Sequence, residues 1–187
     1  MNEQGWWYLS RATGMVAWVL LGASCLWGIL LVTRMLKQSG ARPAWLLDLH
    51  RWLGALAVIT TLIHILALVA DNFVHFGWKE VLVPNGSEWK TGAVTWGVFA
   101  MYLLVVIEAS SLMMKKLPKR LWRGIHLTAY LSFAMATVHG VAAGTDRSNI
   151  VYIVAASGGI AIMLFAVIAR MLQARHQRLS APAAARG

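Results

Sequence analysis

An all-α, integral membrane helical bundle is the fold class this sequence predicts, and three observations predict it. Of 187 residues, 59% are hydrophobic and 13% charged, and the mean hydropathy is +0.62; a soluble domain of this size cannot hide so much apolar surface. Five stretches approach the ~20 apolar residues that span hydrocarbon. They run roughly over residues 12–33, 44–70, 92–114, 121–143 and 149–172. Basic residues, finally, gather on alternate connections between those stretches. We read residues 1–174 as one transmembrane domain and 175–187 as a basic, disordered tail.

The first span follows MNEQGWWYLSR, which has neither a basic n-region nor a small-residue cleavage site, so it is expected to be retained. It carries Cys25, the single cysteine, which excludes an internal disulfide, a Cys-ligated zinc site and an iron–sulfur cluster. The second span carries His50 and His64, and the fourth carries His126 and His139. Between spans two and three runs DNFVHFGWKEVLVPNGSEWKT, where Pro84-Asn85-Gly86-Ser87 signals a turn. The stretch before that turn mixes Phe73, Phe76, Trp78, Val81 and Leu82 with Asp71, Lys79 and Glu80, as an interfacial helix does. The third span contains one acid, Glu108. The fifth contains Ser157-Gly158-Gly159, which follows no strand and so is no nucleotide-binding loop.

Charge sets the expected orientation. Of 17 Lys and Arg, 13 fall on one side of a five-span arrangement: Arg34, Lys37, Arg42, Arg51, Lys115, Lys116, Lys119, Arg120, Arg123, Arg170, Arg175, Arg178 and Arg186. The other side has Arg11, Lys79, Lys90 and Arg147. The positive-inside rule then puts the N-terminus outside and the C-terminus in the cytoplasm of a multi-pass plasma-membrane protein. The net charge of +10 is thereby assigned to topology and anionic headgroups, not to nucleic acid.

Ionisable side chains are costly at membrane depth and mark function. His50 and His64 are 14 residues apart, and His126 and His139 are 13 apart. A rise of ~1.5 Å per residue separates the members of each helix by roughly 20 Å. Paired by depth, His50 with His126 and His64 with His139, they match the axial ligands of two stacked haems held between helices two and four. Zinc would need its ligands clustered within a few ångströms. Since Cys-x-x-Cys-His is absent, the expected cofactors are two non-covalent b haems. One angular problem remains. At about 100° per residue, 14 residues return to nearly the same face, whereas 13 miss it by about 140°; side-chain reach, tilt or local rewinding must make up the difference, and Gly124 and Gly140 could permit it. Small residues at helical spacing from the histidines, Gly54, Ala57, Thr60, Ala129, Ala136 and Ala143, would make room for porphyrin plates.

The segments LDLHRWLG, IHILAL, RLWRGIH and ATVHG, with RATG at Arg11–Gly14, resemble the ferric reductase-like transmembrane domain. That family includes ferric reductases, NADPH oxidases and the haem-binding subunit of a bacterial methionine sulfoxide reductase. The resemblance covers roughly residues 10–172 and implies two b haems on the four histidines, with electrons passing from inside to outside. Many members have six or more helices and a cytoplasmic flavin and nicotinamide domain. These 187 residues contain no sequence for such a domain. The donor is therefore expected to be a separate flavoprotein or membrane quinol, with a quinone or a partner's flavin as accessory cofactor. The acceptor is expected outside the cytoplasm: ferric iron, oxygen, a quinone or an exported flavoprotein. The alternatives are an outer-face oxidase, of superoxide for example, that reduces quinone, and a haem sensor or assembly subunit without turnover.

Arg51 and Arg123 flank the ligands nearer the basic face and are candidates for haem propionates. Arg11, Lys90 and Arg147 are the counterparts at the other face. His75 could bind above the outer haem or simply sit at the interface. Glu108 could move protons to a quinone or pair with the lysines that follow it. His176 belongs to the basic tail, and most of the ten tryptophans read as interface anchors.

Overall fold

The computed structural model describes residues 5–33, 43–71, 76–145 and 148–180. Arg34, Lys37, Arg42, Phe73, His75, Arg147, Arg186 and the end of the tail lie outside the described residues. Every regular element among those described is helical: α1 (Gly5–Thr33), α2 (Trp45–Val69), α3 (Trp78–Leu82), α4 (Thr91–Leu112), α5 (Lys119–Leu127), α6 (Ala129–Ala143) and α7 (Ile150–Leu179). Taking α5 and α6 as one crossing, five of these are long and apolar enough to span a bilayer. This is a multi-pass membrane protein.

Two helical hairpins form the centre. One is α1 against α2; the other is α4 against α5 and α6. They meet through α1 on α6 and α2 on α4. Helix α7 packs along α1, where Gly159 admits the Trp18 ring; a Cβ there would lie 2.5 Å from it. Most of the outer surface is apolar, including Val19, Ile59, Val105, Val154 and Phe165, all exposed. Lipid is the solvent that suits such a surface.

Four differences from the sequence reading have physical causes. Helix α1 starts at Gly5, two turns before the hydrophobic run, because Trp6, Trp7, Tyr8 and Leu9 extend its apolar character. The interfacial helix is short, only Trp78–Leu82, and a turn ends it: Gly86 N–H donates to Val83 O at 2.9 Å, with Pro84 and a left-handed Asn85 (φ 61) between them. Pro at the first central position and Asn at the second are what such a turn favours. Helix α7 runs to Leu179, past the boundary expected at residue 175. Arg175 is a strong helix former, and a cation is favourable near a helix C-terminus. The amide of Val151 caps the other end on Asn149 Oδ1 at 2.9 Å.

The fourth difference concerns the crossing that bears His126 and His139. It is divided at Thr128, whose N–H bonds back only three residues, to Ile125 O at 3.0 Å. The Thr128 hydroxyl donates to the same carbonyl at 2.7 Å. A three-residue bond overwinds the chain, and overwinding is what a 13-residue spacing needs to complete four turns. Of the three remedies, local rewinding is seen, at Thr128 and not at Gly124 or Gly140. Gly124 lies inside α5 and Gly140 inside α6.

Candidate functional site: two histidine pairs

The two hairpins bring the histidines together in the expected combinations. The rings of His50 and His126 have centroids 5.8 Å apart at an interplanar angle of 77°. Those of His64 and His139 are 6.3 Å apart at 76°. The second pair sits toward the end of the bundle where α1 begins, here the amino-terminal end; the first sits toward the carboxy-terminal end.

Each ring is held through Nδ1. His64 Nδ1–H donates to Ser10 O at 2.6 Å, and His139 Nδ1–H donates to Ala93 O at 2.8 Å. Nδ1 of His50 lies 3.4 Å from Ser24 Oγ, and that of His126 lies 3.4 Å from Ser111 Oγ. A carbonyl only accepts, so His64 and His139 must carry their proton on Nδ1. Nε2 is then left with its lone pair, and no described residue bonds to Nε2 of any of the four rings.

Glycines face the rings from the partner helix of each hairpin. A Cβ on Gly14 would lie 3.0 Å from His64 Nδ1, one on Gly28 3.3 Å from His50 Cε1, and one on Gly97 2.7 Å from His139 Nδ1. Close approach explains these three glycines. Gly14 and Gly28 are 14 residues apart, as are His50 and His64. Both end the same short pattern, Ser10-Arg-Ala-Thr-Gly14 and Ser24-Cys-Leu-Trp-Gly28. The sequence reading noted RATG only through the resemblance and missed the repeat. A search of α1 for the 14-residue period of the histidines would have found it.

An apolar layer separates the pairs. Leu21, Ala57 and Leu104, all buried, lie seven residues from each of Gly14 and Gly28, of His50 and His64, and of Gly97 and Ser111 respectively. Phe133 fills the same level on α6, stacked on Trp18 at 5.4 Å and pressed against Gly22, where a Cβ would lie 2.9 Å from its ring. Trp18 Nε1–H donates to Thr137 Oγ1 at 2.8 Å, tying α1 to α6. Ser132 Oγ–H donates to Ala100 O at 3.0 Å, tying α6 to α4.

Beside His64 and His139 lies a cavity of about 430 Å³, lined in part by Ser10, Gly14, Ala136, Gly140, Tyr152 and Ala156. That is within the usual size of a small-molecule site. At the other end Trp122 stacks on His126 (5.2 Å, 21°), and its Nε1–H is buried without an acceptor among the described residues. Arg170 of α7 donates to the Tyr130 hydroxyl and lies over that ring at 5.7 Å. No described carboxylate pairs with Arg170.

The charged candidates fare differently. Arg51 is exposed and bonds Asp48 at 3.2 Å, beside its own helix. Arg123 is exposed with Lys119 and Arg120. Arg11 lines the cavity and lies 5.9 Å from the Tyr8 ring centroid. Lys90 is a clasp: its Nζ donates to Ala143 O at 3.0 Å and Ala142 O at 3.3 Å, at the end of α6. Glu108 faces Gly54, where a Cβ would lie 3.1 Å from its Oε2, and makes no ion pair with the following lysines among the described residues. Of the small residues expected beside the ligands, Ala136 and Ala143 line the cavity. Ala57 packs in the layer between the pairs instead.

Residues 6–146 match the model of a family described as a domain of unknown function (DUF8596). The chain belongs to that family. The DUF8596 match covers α1 to α6 and all four paired histidines, and ends before α7 begins. No curated protein and no solved structure matches the chain.

Proposed function

We propose that this protein is a membrane di-haem cytochrome b that carries single electrons across the bilayer, as the ferric reductase-like domain it resembles does. The observation that carries the reading is the pair of bis-histidine arrangements, each with Nδ1 engaged and no bond to Nε2 from any described residue. Two imidazoles on one metal at a bond length of about 2 Å set their centroids about 6 Å apart; the distances here are 5.8 and 6.3 Å. Among the described residues no group of three or more His, Cys, Asp or Glu is arranged for a metal ion. Two protein ligands per site suit a metal whose remaining ligands come with it. Haem, when bound, supplies one-electron redox chemistry at such a site.

The chain's own residues would then do the following. His50 and His126 would hold one haem, and His64 and His139 the other. Gly14, Gly28 and Gly97 give the rings room, and the Leu21, Ala57, Leu104 and Phe133 layer keeps water from the path between the sites. Trp122 Nε1 and Arg170 offer donors to an anionic group at the carboxy-terminal end. We assign that end to the cytoplasm of a plasma-membrane protein, on the 13-to-4 distribution of basic residues. A separate flavoprotein or quinol is the proposed donor, and an acceptor outside the cytoplasm, such as ferric iron, the proposed destination.

Proteoliposomes with reduced flavoprotein or quinol available at the carboxy-terminal face and a membrane-impermeant ferric chelate at the other test this. Reduction of the chelate that needs all four histidines is expected. Equal reduction by a variant lacking His64 and His139 would overturn the reading. A reporter fused after Gly187 should be active only in the cytoplasm; activity only outside it would reverse the orientation.

A further inference from the structure

Ser10 and Ser24 open the same five-residue pattern on α1, and each meets a histidine through its backbone. His64 donates to the backbone carbonyl of Ser10, whose own hydroxyl is occupied with Trp7 O at 2.9 Å. His50 meets the backbone of Ser24 and, at 3.4 Å, its hydroxyl as well. The second hairpin is divided: His139 donates to a carbonyl, that of Ala93, while His126 meets the Ser111 hydroxyl. Ser111 Oγ–H is itself committed to Ile107 O at 2.8 Å. A hydroxyl has one proton, so Ser111 faces His126 with a lone pair and accepts from Nδ1–H. That leaves His126 Nε2 as the ligating nitrogen, as at the other pair.

We propose that Ser111 is a positioning residue that sets the ligand strength of His126, which makes the carboxy-terminal site the one a side chain can tune. This rests on the di-haem reading above. An imidazole whose Nδ1–H is donated becomes a more basic ligand through its other nitrogen, and a more basic ligand favours the oxidised metal. Carbonyls of α1 and α4 provide that acceptor at the amino-terminal site whatever the side chain. At His126 the acceptor is the Ser111 oxygen, at a distance where the bond is weak. Deleting it removes the donation altogether.

The test is a redox titration of the purified full-length protein, with haem content measured on the same sample. The carboxy-terminal haem is identified as the one lost in His126→Ala. Ser111→Ala should raise its midpoint, with about a fivefold higher reduced-to-oxidised ratio at fixed potential; at 59 mV per decade that is about 40 mV. The other midpoint should stay where it is. Ser111→Thr keeps the hydroxyl and should return the midpoint toward the original value. Ser24→Ala should move it less than Ser111→Ala, since the backbone partner of His50 remains. Ser10→Ala should move neither midpoint, since only its carbonyl is used. An unmoved midpoint in Ser111→Ala, equal shifts of both haems, or a shift of the amino-terminal haem in Ser10→Ala would overturn the proposal while leaving the di-haem reading intact. Parent protein without haem would overturn that reading instead.

Discussion

The two histidine pairs differ in what supports them, and the difference separates what backbone geometry determines from what side chains determine. At the amino-terminal pair each ring is gripped by a carbonyl at 2.6 or 2.8 Å, backed by a glycine, and set beside a cavity. At the carboxy-terminal pair a serine hydroxyl lies 3.4 Å from each ring, with a backbone partner as well at His50 and Trp122 stacked on His126. The first site depends on how closely helices approach. The second depends on polar side chains, and its rings are held less tightly.

The largest expected effect comes from removing a ligand. His64→Ala or His139→Ala should abolish the amino-terminal haem and retain the other; His50→Ala or His126→Ala should do the reverse. Reduced-minus-oxidised spectra with haem quantitation read this. Loss of both haems from every variant would mean that the sites are not separable.

Next come the glycines, which should matter in the order of the space they leave. Gly97→Ala drives a methyl to 2.7 Å from His139 Nδ1 and should cost most, Gly14→Ala less at 3.0 Å, and Gly28→Ala least at 3.3 Å. Overpacking of this kind costs about 1–3 kcal/mol, and here it should appear as lost haem at the affected site. Gly92→Ala is the control, since nothing lies within 4 Å of that Cβ. An equal loss from Gly92→Ala would show that the effect is on helix packing in general.

Much of this was legible in the sequence. Spacing and hydropathy alone specify five crossings, four histidines and their pairing by depth. The supporting atoms were not legible, because a backbone carbonyl leaves no trace in residue identity: nothing about Ala93 marks it as the partner of His139. The break at Thr128 was hidden for a related reason. Threonine is no helix breaker, whereas Gly124 and Gly140 look like hinges and are ordinary helical residues. The repeat from Ser10 to Gly28 was present but uninterpretable until α1 was known to lie against α2. Adjacency in sequence says little about where Arg51 reaches: one residue from His50 on a helix points about 100° away, and Arg51 pairs with Asp48.

Smaller effects sharpen the contrast between ends. Lys90→Met removes the clasp on the last carbonyls of α6, near the amino-terminal site. A thermal melt should show a loss of under about 1 kcal/mol, because the group is exposed. A larger loss would indicate that the clasp anchors His139. Arg51→Gln should change least. Its ion pair is exposed on both sides, and such pairs contribute about 0–1 kcal/mol. Loss of the carboxy-terminal haem in Arg51→Gln would instead assign Arg51 to a propionate.

The central claim is that each histidine pair holds one haem. A pyridine haemochrome assay on purified protein, set against its protein concentration, tests it most directly. Two b haems per chain are expected; one or none would contradict the account.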